Sequence, residues 1–222
     1  MMYVCTGYRM IGSVKSVTSA TSTMSLGKQS KVLTDRQIEV LVSYLAARRN
    51  GVRNRAIVLL SAKAGLRAKE IAGLRWNMVL NPDGAVGETL CLTDRVSKGR
   101  SGRVIPLNRH LREALVALRD QESSSYAGYR TDGAVIRTER GSQTTAQVVV
   151  NMFFRWYRDL GYIGCSSHSG RRTFITNASR KIGTVGGSIR DVQLLAGHKN
   201  LQTTQRYIDH DTECQRKVVN LV

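Results

Sequence analysis

The chain has 222 residues, 41% hydrophobic and 23% charged, a balance that supports a folded core and excludes a disordered or membrane-embedded polypeptide. Lys and Arg number 34 against 16 Asp and Glu, giving a formal net charge of +18 and an isoelectric point near 10.4. Such a surface attracts a polyanion: nucleic acid comes first, with a ribosomal or membrane-surface setting as the blander readings.

Cys5, Cys91, Cys165 and Cys214 stand singly, without the spacing of a zinc site or a redox pair. They read as reduced thiols of a cytosolic protein, and neither metal nor cofactor is expected. The opening MMYVCTGYRMIGSVK is interrupted by Arg9 and Lys15, and no stretch reaches the ~20 apolar residues of a bilayer span. A cytoplasmic protein without a membrane partner is expected.

Residues 1–30 are rich in Ser, Thr, Gly and Met, lack acidic residues and show no periodicity. They read as a flexible basic tail ahead of one domain over 31–222. A helix is expected over 34–51: Thr34 and Gln37 form a capping box, Ile38, Leu41, Val42 and Leu45 share a face, and Gly51 ends it. A second helix over 53–65 closes at Gly65, and a shorter one follows over 67–76. Asn81-Pro82-Asp83-Gly84 has turn chemistry. ETLCLT and RVIPL alternate like the strands of a small antiparallel sheet, joined by the turn SKGRSG. Helices return with Leu111, Leu115 and Leu118 on one face, then with Val149, Phe153, Trp156 and Leu160 on another. Three helical segments close the chain: 168–183, 188–197 with a Ser188–Asp191 capping box, and the stretch around TTQRYID. The last five residues, VVNLV, read as a short helix or a segment that docks on a partner subunit. The expected class is α+β, mainly helical, with one short antiparallel sheet.

Four short motifs carry the chemistry. In SAKAGLRAKEIAGLRW, Arg67 opens a helix, where a guanidinium can grip two phosphate oxygens, and Glu70 lies one turn on to orient it. In VSKGRSGRVIPL, Lys98 sits in a basic glycine-rich turn that can bring an ammonium to a leaving oxygen. In SSHSGRRTFIT, His168 and Arg171 are three apart and share a helical face, whereas Arg172 is turned about 100 degrees away. In VQLLAGHKNLQTTQRYID, His198 follows a helix end and Tyr207 lies nine residues later, just inside the next helix. A phenol with a pKa near 10 becomes a nucleophile only beside cations that favour the phenolate. Taken singly, each motif has a plainer reading: a surface arginine, a hairpin tip, a capping histidine, a half-buried tyrosine. Together they supply the nucleophile, the proton donor and the cations that phosphodiester cleavage without a metal requires.

In order and wording these motifs resemble the tyrosine recombinase (phage integrase) family over about residues 34–215. AGLRAKEIAGLRW is similar to its first arginine box, SKGRSGRVIPL to its lysine hairpin, HSGRRTFIT to its His-x-x-Arg box, and LAGHKNLQTTQRYI to its Gly-His and Thr-Thr-x-x-Tyr boxes. The resemblance implies that Tyr207 attacks the scissile phosphate and forms a 3′-phosphotyrosyl link. It assigns Arg67 and Arg171 to the non-bridging oxygens and His198 to a further hydrogen bond there. His168 then assists proton transfer at Tyr207, and Lys98 protonates the 5′ oxygen. Arg95, Arg100, Arg103 and Arg172 are the expected DNA contacts. The implied partners are double-stranded DNA, further copies of the chain in a tetramer on paired sites, and accessory DNA-bending proteins, with residues 212–222 as the segment passed between neighbours. The implied location is the cytoplasm, at the nucleoid.

Two departures stand out. Residue 170 is Gly where the family often has Leu, and only about 30 residues precede the catalytic domain where a separate DNA-binding domain commonly lies. The short catalytic-domain-only members and a truncated remnant both fit that second departure. A type IB topoisomerase-like relaxing activity and a non-catalytic DNA-binding remnant are the alternative functions.

Overall fold

The computed structural model describes residues 30–97, 101–125, 130–138, 143–207 and 219–220. The expected tail, apart from Ser30, therefore lies outside the described residues, as do Lys98 and Arg100, and most of the 212–222 segment. What is described is mainly helical with a two-stranded antiparallel sheet, as expected.

Helix α1 (Asp35–Ala46) starts as the sequence dictates. The Thr34 side chain accepts from the Gln37 backbone N–H, and the Gln37 side chain accepts in return from Thr34. It stops earlier than expected, at Ala46, and Gly51 opens helix α2 (Gly51–Ala64) instead of ending α1. The reversal is tight: a Cβ on Gly51 would lie 2.7 Å from the Ala46 carbonyl oxygen, so only glycine lets α2 begin against the end of α1. Asn50, in the left-handed region at φ 59°, makes the turn.

Nearly every residue of α2 from Ala56 to Ala64 is buried, because α2 packs against α1, α4 and α6 at once. It ends at Gly65, left-handed at φ 66° as its position predicts. Helix α3 (Ala68–Gly73) is short and gives way to a 3₁₀ turn at Trp76–Met78. Strands β1 (Thr89–Leu92) and β2 (Arg103–Pro106) pair with Leu90 opposite Ile105 and Leu92 opposite Arg103. Leu90, Leu92 and Ile105 face the core while Cys91 and Val104 face out, the alternation of a half-buried ribbon.

Helix α4 (Arg109–Ser125) buries Leu111, Leu115 and Leu118, and helix α5 (Ala146–Asp159) buries Val149, Phe153 and Trp156. Helices α6 (Ser169–Lys181), α7 (Ile189–Ala196) and α8 (Leu201–Gln205) complete the described chain. A small second core of Ile175, Val192 and Ala196 joins α6 to α7, and Phe174 and Tyr207 pack against it. The predicted Ser188–Asp191 capping box is present at the start of α7. Helix α8 is shorter than expected. Tyr207 lies in the turn two residues past its end, with its backbone N–H on the Thr204 carbonyl.

Candidate active site

The site forms where several helix ends meet. Arg171, on the first turn of α6, is buried to 2% exposure, an unusual place for a guanidinium. Two helix C-termini make that burial tolerable. Arg171 Nη1 donates to the Gly65 carbonyl at the end of α2 (2.5 Å), and Nη2 donates to the Ala196 carbonyl at the end of α7 (2.6 Å). These terminal carbonyls lack intrahelical donors and carry the negative end of the helix dipole, so a cation is their natural partner. Burial first, then repulsion from Arg67, pushes the Arg171 pKa down to about 10, which leaves it protonated at neutral pH.

Nη2 of Arg171 also lies 2.9 Å from His198 Nε2, and His198 Nδ1 lies 3.0 Å from the hydroxyl of the buried Thr204. A guanidinium only donates, so Nε2 must accept and the imidazole proton sits on Nδ1, donated to Thr204. His198 is therefore neutral here. Its pKa is pushed down to about 4, by burial above all and then by Arg171, Arg67 and Arg103. The Tyr207 ring stacks on the His198 ring with centroids 5.4 Å apart. The Thr176 hydroxyl donates to the Tyr207 carbonyl (3.0 Å), which anchors the turn to α6.

Arg67, at the N-cap of α3, is the more open guanidinium, its side chain 24% exposed. Glu70 holds it as the spacing predicts: Oε1 accepts from Arg67 Nη1 (2.9 Å) and Oε2 from the Arg67 backbone N–H (2.8 Å). His168 is not inside a helix beside Arg171. It occupies the N-cap of α6 and is exposed. Its imidazolium is disfavoured by partial desolvation and then by Arg171 and Arg67, which marks it as a neighbour of both cations.

The expected DNA contacts divide. Arg95 is exposed in the turn after β1, and Arg172 is half-buried on α6. Arg103 departs from expectation: its side chain is 6% exposed and bound to Glu70, so its charge is directed inward. Thr204 was not singled out from sequence. Its signal was the Thr-Thr pair ahead of Tyr207, but a threonine hydroxyl acquires a role only when a ring nitrogen faces it. The departure at Gly170 has a packing reason. A Cβ there would lie 2.4 Å from Ser61 Oγ and 3.2 Å from the Ser61 carbonyl carbon, so α6 crosses α2 at a distance only glycine allows.

A helical fold with a small ribbon, and a tyrosine set among arginine and histidine side chains drawn from four separate stretches, define the class: the chain belongs to the phage integrase family, which it matches over residues 31–213. Among curated relatives, it is 29% identical over 187 residues to the tyrosine recombinase XerA of Thermococcus kodakarensis, covering 84% of this chain and 61% of the relative. It is 30% identical over 189 residues to the tyrosine recombinase XerD of Ralstonia nicotianae, covering 80% of this chain and 55% of the relative. The chain thus spans little more than half the length of these relatives. Among solved structures, a XerA recombinase superposes with a TM-score of 0.65 at 21% identity, over 86% of this chain and 66% of that one. The Tn1549 transposon integrase in complex with a circular intermediate DNA superposes with 0.64 at 18% identity, over 87% of this chain and 66% of that one. These likenesses establish the fold.

Proposed function

We propose that the chain is a site-specific DNA recombinase that breaks and rejoins DNA through a 3′-phosphotyrosyl intermediate, with side-chain cations in place of a metal and no nucleotide cofactor. One observation carries the reading: Tyr207 lies against His198, His198 touches Arg171, and Arg67 acts on both Arg171 and His198. Residues 9 to 140 positions apart in sequence thus surround one small volume, and the family match supports reading that volume as the seat of a phosphate.

In the proposed reaction, Tyr207 Oη attacks phosphorus and the bond from phosphorus to the 5′ oxygen breaks. His168, held in its neutral form, takes the phenolic proton, and Lys98 gives a proton to the departing 5′ oxygen. Arg67 and Arg171 stabilise the charge that builds on the non-bridging oxygens, and they do most in a site that excludes water. A 5′ hydroxyl from another strand reverses the step without an external energy source. His198 faces Arg171 with a lone pair on Nε2. To donate to a phosphate it must carry its proton on Nε2. The Thr204 hydroxyl supports either state, since it can accept from Nδ1–H or donate to bare Nδ1. Strand exchange then requires double-stranded DNA at paired sites, a tetramer of the chain and accessory DNA-bending proteins at the nucleoid.

The test is a nicked suicide duplex carrying the target site, sought among repeats that flank the gene. The wild-type chain should become covalently attached to it. Tyr207→Phe should abolish attachment while leaving DNA affinity nearly unchanged, because one hydroxyl is a small part of the contact surface. An adduct that survives in that variant removes Tyr207 from the role of nucleophile.

A further inference from the structure

The Arg67–Glu70–Arg103 cluster contains more than the reaction above uses. Glu70 is fully buried, yet its one carboxylate serves two guanidinium groups. Besides Arg67, it accepts from Arg103 Nη1 at Oε1 (3.0 Å) and from Arg103 Nη2 at Oε2 (3.2 Å). Arg103 Nε donates to the Leu195 carbonyl in the last turn of α7 (2.8 Å), and Nη1 also lies 3.4 Å from the Ser101 carbonyl. Four of the five N–H groups a guanidinium possesses are therefore committed inside the protein. The fold makes room for this: Gly197 is left-handed at φ 63°, and a Cβ there would lie 2.8 Å from Arg103 Nη1.

We propose that Arg103 is a positioning residue of the recombination reaction, holding Arg67 through Glu70 and the turn to His198 through the Leu195 carbonyl. The inference rests on the recombinase reading. A buried carboxylate facing Arg67 alone is under-compensated, and Arg103 keeps it ionised so that it can grip the Arg67 guanidinium in one orientation. Among the described residues, Arg67 Nε and Nη2 have no protein acceptor, so the fork that Glu70 orients is open towards a phosphate. The Leu195 contact places the same guanidinium on the carbonyl next to Ala196, which holds Arg171. One buried cation therefore ties β2 to both phosphate-binding arginines, and touches neither directly.

Arg103→Gln and Arg103→Lys test this on the nicked suicide duplex under single-turnover conditions at saturating DNA. Misplacing a reacting group by about 1 Å costs about 10²-fold in rate, and Arg103→Gln should lose about that much with DNA affinity close to wild type. The pH profile should change as well. Glu70 is faced by Arg67, Arg103, Arg171 and His198. Burial raises its pKa, and the hydrogen bonds and charges of Arg103 and Arg67 outweigh that to hold it below the ordinary carboxylate range. Without Arg103 its pKa rises, and the acid limb of the cleavage rate, which protonation of His168 sets in the wild type, should gain a second titrating group and steepen. Arg103→Lys keeps the charge but not the fork. It should show a smaller loss and the second titration at lower pH, and it carries the test if the glutamine variant does not fold. A variant that loses only active fraction and melting temperature, with the wild-type rate constant and pH profile, overturns the proposal. So does one that loses DNA affinity yet cleaves normally once saturated. A wild-type chain that never forms an adduct removes instead the recombinase reading beneath it.

Discussion

Among the site residues, His198 and His168 share a direction of perturbation with a consequence for stability. Each imidazolium is disfavoured in the folded chain by desolvation and by nearby arginines, and the His198 pKa falls from 6.5 to about 4. Between those values the unfolded chain binds a proton that the folded one refuses, so stability must decline as pH falls from about 6.5 towards 4. Urea midpoints at pH 7 and pH 5 should show the decline, and a His198→Gln variant should show less of it. Nitrogen NMR of His198 at pH 6 should find a neutral ring protonated at Nδ1. A charged ring there would contradict the Arg171 contact. The sequence contained the participants Arg171 and His198 but not this relation. Nothing in the spacing of two boxes 27 residues apart specifies that an arginine donor meets an imidazole lone pair.

Among the elements, the contact between α2 and α6 shows what a local rule can miss. By helix propensity Gly170 is a weak residue near the start of α6, worth about 1 kcal/mol less than alanine. Packing reverses that judgement, because any side chain at 170 meets Ser61, including its backbone carbon at 3.2 Å. Gly170→Leu gains propensity but overpacks a buried crossing, and overpacking of that kind costs about 1–3 kcal/mol or more. The overpacking should win. The variant is expected to melt several degrees lower, and a melting temperature at or above wild type would show that α6 shifts freely on α2. Element ends were the least legible part of the sequence. Gly51 has the chemistry of a helix stop and acts as a helix start, because the deciding contact is with the Ala46 carbonyl of the preceding turn. Tyr207 falls outside α8 because its place is set by Thr176 and the second core rather than by helical period.

For the molecule as a whole, the excess of 34 basic over 16 acidic residues sets how it should meet DNA. Each phosphate neutralised contributes about −0.9 to the log–log salt slope, so a protein that covers six to ten phosphates loses about 10³–10⁵ in affinity between 50 and 200 mM salt. A titration of DNA binding against salt should show a steep slope. A flat one would direct the basic surface to another partner. Part of the charge is unavailable for this role: Arg103 is buried and bound within the protein.

The sequence by itself determined the class of fold, the caps at Thr34 and Ser188, the left-handed end at Gly65, the inward faces of α4 and α5, and the residue types a phosphodiester reaction needs. These follow from local rules of periodicity, turn chemistry and charge that act within a few residues. The tertiary structure alone decided which charges are buried and which are open. It turned Arg103 inward, placed Arg171 between two helix ends, and gave the His198 proton to Thr204. The physical reason is that desolvation and hydrogen-bond partnership depend on what lies across space. The same arginine is a surface cation in water and a structural tie beside a buried carboxylate, and only the fold chooses between them.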